Sequence, residues 1–118
     1  MAKLSAHGNE LFRYLSMRRG ALIAVMEDGK SLSRTPWSGW KLAFRKKDGI
    51  SLDEWKKISI AFYNRLPEWR KVNSLPSVKQ LEEWVCDGIC ETPTGHRIEP
   101  DGTHPEEGPS WLIVFGLI

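Results

Sequence analysis

The sequence has few of the residues and motifs on which common catalytic and export signals depend. Its 118 residues include only two cysteines and three histidines. It contains neither the G-x-S-x-G motif of many serine hydrolases nor the helical H-E-x-x-H motif of zinc proteases. Its early apolar run, residues 21–26, is too short for a signal peptide or a membrane span. We therefore predict a cytoplasmic protein in a reducing compartment, with no membrane partner and no enzymatic activity.

The net charge of +2 hides a strong asymmetry along the chain. Residues 1–47 carry ten lysines and arginines against three acids, a net charge of +7. Residues 48–118 carry seven against twelve, a net charge of −5. This partition predicts one basic surface suited to polyanions, and it argues against a mimic of DNA, which needs a broad acidic surface.

The first half of the chain has the pattern of a small antiparallel sheet. Residues 10–18 fit a strand slightly better than a helix, and residues 21–26 fit a central strand. Asp28-Gly29 is the strongest short hairpin signal in the chain, and it comes before a returning strand at 31–35. Residues 40–46 then alternate, with Trp40, Leu42 and Phe44 on one side. Residues 9–47 are thus predicted to form a basic β-meander of three or four strands, with one apolar and one basic face.

The second half, residues 51–118, has helical signals followed by loops. Ser51 with Glu54, and Ser77 with Gln80, form two capping boxes, each before an apolar stripe at helical spacing. Two amphipathic helices on one face of the sheet make a single α+β domain over residues 1–118. The apolar end, residues 112–118, has to lie in the core or against a partner, and we favour the core.

Four potential metal ligands lie close together in the last third of the chain. Cys86 and Cys90 are four residues apart on the flank of the second helix, and His96 and His104 follow on Gly- and Pro-rich loops. Two thiolates and two imidazoles are the ligand set of a closed tetrahedral zinc site. The spacing matches no standard zinc finger, so the alternative is two small buried thiols and two surface histidines.

Two stretches resemble a group of small proteins encoded by bacteriophages and prophages. One is the run CETPTGHRIEPDGTHPEEGPSWLIVFGLI from Cys90 onward, and the other is KLSAHG with a later DG turn and GWKL. The relatives carry cysteines at the positions of Cys90, His96 and His104 and a histidine at Glu106, which is a Cys3His zinc pattern. The resemblance thus implies one structural zinc on these residues, with Cys86 as an alternative fourth ligand. The alternative is that this chain has lost the metal, and that side-chain packing holds the loop of His96 and His104 in place.

The resemblance implies no known activity, so the expected function follows from charge and composition. We expect an accessory protein that binds a host protein or nucleoprotein complex, such as an inhibitor of a host defence system similar to anti-CRISPR proteins. The alternative is a nucleic-acid-binding protein that uses the basic β face and stacks Trp37 on an unpaired base. For either partner, the expected contact residues are Arg18, Arg19, Arg34, Trp37, Lys41, Arg45, Lys46 and Lys47.

Overall fold

The computed structural model describes residues 8–118, and these residues form the predicted α+β fold. One antiparallel sheet consists of β1 (Glu10–Ser16), β2 (Ala21–Met26), β3 (Lys30–Thr35) and β4 (Ser38–Arg45), in that order. The other elements are α1 (Leu52–Asn64), a 3-10 turn (Glu68–Arg70), α2 (Val78–Asp87), the hairpins β5 (Cys90–Glu91) with β6 (Arg97–Ile98) and β7 (Thr103–His104) with β8 (Gly108–Pro109), and α3 (Trp111–Val114). The KLSAHG motif lies outside the described residues, apart from its final glycine.

The strands of the meander reverse direction where the sequence predicted turns. Gly29 has a φ of +94°, and the Asp28 carboxylate accepts a hydrogen bond of 3.1 Å from the backbone N–H of Lys30. Only glycine adopts such a φ at little cost, so the Asp-Gly pair fixes this hairpin. Pro36 and Trp37 form the next turn, and β4 therefore begins two residues before its predicted start.

Two bulges in β4 change which side chains share a face. Leu42 lies opposite Leu32, but Phe44 lies opposite Ser31, so β4 has one more residue than β3 over this interval. A second shift of this kind occurs nearer the turn. Because an extra residue reverses the alternation of side chains, Leu42 and Phe44 point to opposite faces. The prediction that Trp40, Leu42 and Phe44 share one side is wrong.

All six side chains of the central strand β2 are buried, so both faces of the sheet are covered there. The α1 face of β2 is formed by Ala21, Ile23 and Val25, and the α2 face by Leu22, Ala24 and Met26. The prediction of one apolar and one basic face is therefore wrong for the centre of the sheet, because continuous apolar sequence is typical of a strand covered on both sides.

The two long helices pack on opposite faces of the sheet. Tyr14 and Leu15 are neighbours on β1 and point to opposite sides. Tyr14 contacts Phe62 of α1, with ring centroids 5.2 Å apart. Leu15 belongs to the core cluster of Leu81 and Trp84 of α2. The prediction that both helices share one face is wrong, because the side chains of β1 are apolar on both sides.

The connection between the helices, residues 65–77, passes around the outer edge of β1. Arg70 donates a hydrogen bond of 2.9 Å from Nε to the carbonyl oxygen of Leu15. Arg13 donates one of 2.9 Å from Nη1 to the carbonyl oxygen of Asn73. These two bonds tie the connection to β1, and the first gives the Leu15 carbonyl on this edge a polar partner.

Both predicted capping boxes stabilise helix starts through their serines. The Ser51 hydroxyl accepts a bond of 3.1 Å from the N–H of Glu54, and the Ser77 hydroxyl accepts one of 3.0 Å from Gln80. α2 ends at Gly88, which has a φ of +69°. Among residues 8–118, no helix combines the length and the apolar character needed to cross a membrane.

The apolar C-terminal segment is divided between core and surface. Ser110 caps α3 by accepting a bond of 3.2 Å from the N–H of Ile113, and its hydroxyl donates to the carbonyl oxygen of Pro100. The buried side chains are Trp111, Leu112 and Val114. Leu117 and Ile118 remain 42% and 60% exposed. The expected burial in the core is confirmed for most of α3 and wrong for the last two residues.

We expect Gly108→Ala to destabilise the protein by roughly 1–3 kcal/mol more than Gly49→Ala. The two glycines have similar φ values, +87° and +90°, so the backbone strain that an alanine introduces is about the same at both positions. A Cβ at Gly108 would lie 2.8 Å from Cγ of Trp69, whereas one at Gly49 would meet no atom within 4 Å. Urea unfolding of both variants measures the difference, and equal losses would contradict the close packing of Trp69.

Candidate functional site

The eight residues predicted to form one contact surface lie toward opposite ends of the sheet. Arg18, Arg19, Arg34 and Trp37 lie near the β1–β2 and β3–β4 turns, whereas Arg45, Lys46 and Lys47 lie near the β2–β3 turn, with Lys41 between them on β4. Ser38 pairs with Thr35 of β3, and Arg45 pairs with Lys30 at the other end of β3. These two ends are five residues apart, which is about 17 Å along an extended strand. The structure therefore does not gather all eight into one patch.

Lys41 and Arg45 lie on β4, whose outer edge pairs with no other strand in the described part of the chain. Lysines, arginines and bulges on an edge strand hinder pairing with another sheet. β4 combines exposed cations with two bulges. Protection of this edge therefore accounts for these two cations without a binding partner.

Arg19 extends over the α1 face of the sheet. Its guanidinium carbon lies 5.1 Å from the centre of the Phe44 ring. Phe44 is paired with Ser31, which is itself paired with Val25 of the α1 face. Sequence reasoning placed Arg19 on an outer basic surface, whereas its charge is directed at an aromatic side chain.

Trp37 is 54% exposed and is held in place by a row of aromatic rings. Its ring packs edge-to-face on Phe115, with centroids 5.7 Å apart. Phe115 stacks on the buried Trp111 at 5.6 Å. Because Trp111 belongs to the core, the exposed indole is fixed before any partner arrives.

Beside Trp37 lies an apolar groove of about 320 Å³, here called the Trp37 groove. It is lined by Trp37, Val78, Leu81, Glu82, Val85, Cys86 and Leu117. Val85 belongs to the apolar stripe that follows Ser77 at helical spacing, which predicts burial, yet it is 55% exposed. The groove thus joins the β3–β4 turn, one side of α2 and the C-terminal end.

A second groove, of about 340 Å³, lies between the α1 face of the sheet and α1, and is here called the Phe44 groove. Its lining residues are Phe12, Tyr14, Val25, Ser31, Phe44, Trp55, Ile58, Ser59, Phe62 and Arg65. Desolvation by burial raises the pKa of the Tyr14 phenol, although the nearby Arg70 and Arg19 act to lower it. Tyr14 therefore stays protonated at neutral pH and keeps its hydroxyl as a donor.

The four cysteines and histidines predicted to bind zinc do not converge on one point. α2 ends before Cys90, so Cys86 and Cys90 do not share a helix, because Gly88 turns the chain away. Cys86 lines the Trp37 groove, whereas Cys90 is fully buried in the core with Leu15. His96 and His104 lie near each other, with ring centroids 4.6 Å apart.

His104 already has partners in its own loop. Its Nδ1 accepts hydrogen bonds of 3.1 Å from the backbone N–H groups of Glu106 and Glu107. Within residues 8–118, no three His, Cys, Asp or Glu side chains are grouped closely enough to hold a metal ion. Zinc binding stays a prediction, and it would require Cys90 or Cys86 to move toward the histidines and Glu106.

Sequence reasoning missed both grooves, because each combines residues far apart in the chain. The Phe44 groove depends on the bulge that turns Phe44 toward α1, and the sequence has no signal for that bulge. The Trp37 groove depends on Leu117 lying beside α2. Comparison with known proteins finds no matching family model, no similar curated protein and no similar solved structure.

We expect the free energy of unfolding to fall as pH rises above about 10, in part because of Tyr14. Its folded-state pKa is raised above the ordinary value of 10.0, so the folded state holds this proton to higher pH than the unfolded state does. The contribution of Tyr14 to the free energy of unfolding is complete below pH 10, and it is lost as the pH rises through the folded-state pKa of Tyr14. Urea unfolding across this range should show a shallower decline in Tyr14→Phe than in the Tyr63→Phe control. Identical profiles would refute the assignment.

Proposed function

We propose that this protein acts by binding a partner protein through the Trp37 groove. The observation that carries the proposal is the exposed, pre-positioned indole of Trp37 at the rim of an apolar groove. Tryptophan is among the residues that contribute most to protein interfaces, and a rigid anchor loses little conformational entropy on binding. No catalytic step is involved.

The surroundings of the groove favour an apolar anchor on the partner with charged neighbours of both signs, because Glu82 lines the groove and Arg34 lies on the same side of the sheet. Val85 and Leu117 are 55% and 42% exposed, so an apolar side chain in the groove would cover them. Arg34 pairs with Leu22 and therefore lies on the α2 face, the same side as α2. Its exposed charge complements an acidic residue on the partner at the edge of the interface.

The biological setting that we propose rests on the resemblance of two stretches of the sequence to phage and prophage proteins and on the chemistry of the chain. We place the protein in the host cytoplasm, and both of its cysteines are free thiols, which suits a reducing compartment. The partner would be a protein of a host complex, with a nucleoprotein defence complex of the kind blocked by anti-CRISPR proteins as the specific suggestion. Binding at a functional surface of that complex is sufficient for inhibition.

We expect Trp37→Ala to weaken partner binding by about tenfold to hundredfold, the loss typical of a central interface anchor. The partner is captured from a nuclease-treated bacterial lysate, purified, and titrated by calorimetry against each variant. Ile60→Ala is the control, because Ile60 is 43% exposed on α1 and lines neither groove. Thermal unfolding shows whether each variant is folded.

A second variant separates the Trp37 groove from the basic end of the sheet. Alanine at Arg45, Lys46 and Lys47 together should leave the affinity unchanged within about threefold, because these residues lie far from Trp37. Full affinity in a folded Trp37→Ala variant, or loss of affinity only in the triple variant, would place the docking surface elsewhere.

A further inference from the structure

The Phe44 groove has the composition of a site for a flat, negatively charged ligand. Five of its ten lining residues are aromatic, one is an arginine and none is acidic. Its volume of about 340 Å³ lies at the lower end of the range for small-molecule sites, roughly 300–1,000 Å³. One aromatic ring system with a charged substituent fits this size and lining.

Three arginines direct positive charge to the aromatic walls. Arg65 lines the groove, and the guanidinium carbons of Arg19 and Arg70 lie 5.1 Å and 6.0 Å from the ring centres of Phe44 and Tyr14. The salt bridges within residues 8–118 involve other cations and leave these three without a carboxylate partner. The groove therefore has positive charge that a ligand can neutralise.

Two hydroxyl-bearing side chains lie on the sheet wall of the groove. Ser31 lines the groove but is only 1% exposed, so its hydroxyl is covered in the unliganded protein. Tyr14 offers a second hydroxyl on the same wall.

We propose that the Phe44 groove binds an unpaired nucleotide of single-stranded nucleic acid. The base lies against the aromatic side chains, and the phosphate faces Arg19 and Arg65. An aromatic side chain of a protein would leave the arginines uncompensated, and inorganic phosphate would leave the rings uncovered. Aromatic walls with positive charge are the common design of single-strand binding sites.

This site goes beyond the partner-protein surface and differs from the basic β face expected from the sequence. It lies on the α1 face, whereas the Trp37 groove lies beside α2. It uses Phe44 and Arg65, neither of which was a predicted contact, and it makes no use of Lys46 or Lys47. A nucleoprotein partner would offer a ligand for each groove.

The test measures fluorescence anisotropy of a labelled, short oligothymidylate with the full-length protein at low and moderate salt. Wild-type protein should bind, and its affinity should fall with added salt. Phe44→Ala should weaken binding by roughly 5- to 150-fold, the loss expected for one stacked base. Leu42→Ala is the matched control, because Leu42 is 45% exposed on the opposite face of the same strand.

A second pair of variants tests the charge without disturbing the aromatic wall. Arg65→Gln should weaken binding several-fold and reduce the salt dependence. Arg45→Gln should change neither, because Arg45 pairs with Lys30 and lies on the opposite face of β4 from Phe44. Both arginines are exposed, so both variants should fold, which circular dichroism verifies. This pair keeps the test decisive if Phe44→Ala unfolds.

Two further measurements distinguish the Phe44 groove from the Trp37 groove and from nonspecific attraction of nucleic acid to basic residues. Trp37→Ala should leave oligothymidylate binding unchanged, so failure of the protein-docking proposal and failure of this one give different results. Absence of binding in the wild type, equal affinity for duplex DNA, or equal losses in Arg65→Gln and Arg45→Gln would overturn the proposal. If the groove binds an aromatic side chain of a protein instead, the wild-type protein would not bind the oligonucleotide.

Discussion

The burial of β2 on both faces is the constraint on which the rest of the structure depends. A strand of six apolar residues needs a covering layer on each side. The adjacent strand β1 contributes to both layers, because Tyr14 points to one face and Leu15 to the other. α1 covers one side through aromatic contacts, and α2 with α3 covers the other through the cluster around Leu15. Both grooves lie where one of these layers is incomplete: the Phe44 groove beneath α1, and the Trp37 groove beside α2.

Local features of this fold were predictable from the sequence because they depend on neighbouring residues alone. The Asp28-Gly29 turn and the serine caps of both long helices are set by side chains within three residues of the backbone groups they bind. The strand identity of residues 21–26 followed from length and apolar character. Most of the element order, and the α+β class, follow from such features.

Non-local features were not predictable in the same way. α1 and α2 pack on opposite faces because β1 has apolar side chains on both of its sides. The periodicity of a helix shows which of its own residues are buried, but it does not show which face of the sheet covers them. The β4 bulges depend on pairing with β3 and have no composition signal. Cys86 and Cys90 share a helical spacing, yet the left-handed Gly88 between them sends one to the surface and the other to the core. Of the eight predicted contact residues, Trp37 alone lines one of the two grooves, and Cys86, predicted as a metal ligand, lines the same groove.

The two edges of the sheet differ, because the β1 edge is next to the connection between the helices and, within residues 8–118, the β4 edge is open. This difference limits how copies of this chain can associate. Growth of a fibril or filament by strand addition requires two available edges on every subunit, one to accept the previous copy and one to template the next. The connection from α1 to α2 occupies the β1 side, with Arg70 bonded to the carbonyl of Leu15. Association of two copies through their β4 edges would therefore form a pair of molecules and leave no further β4 edge for a third copy.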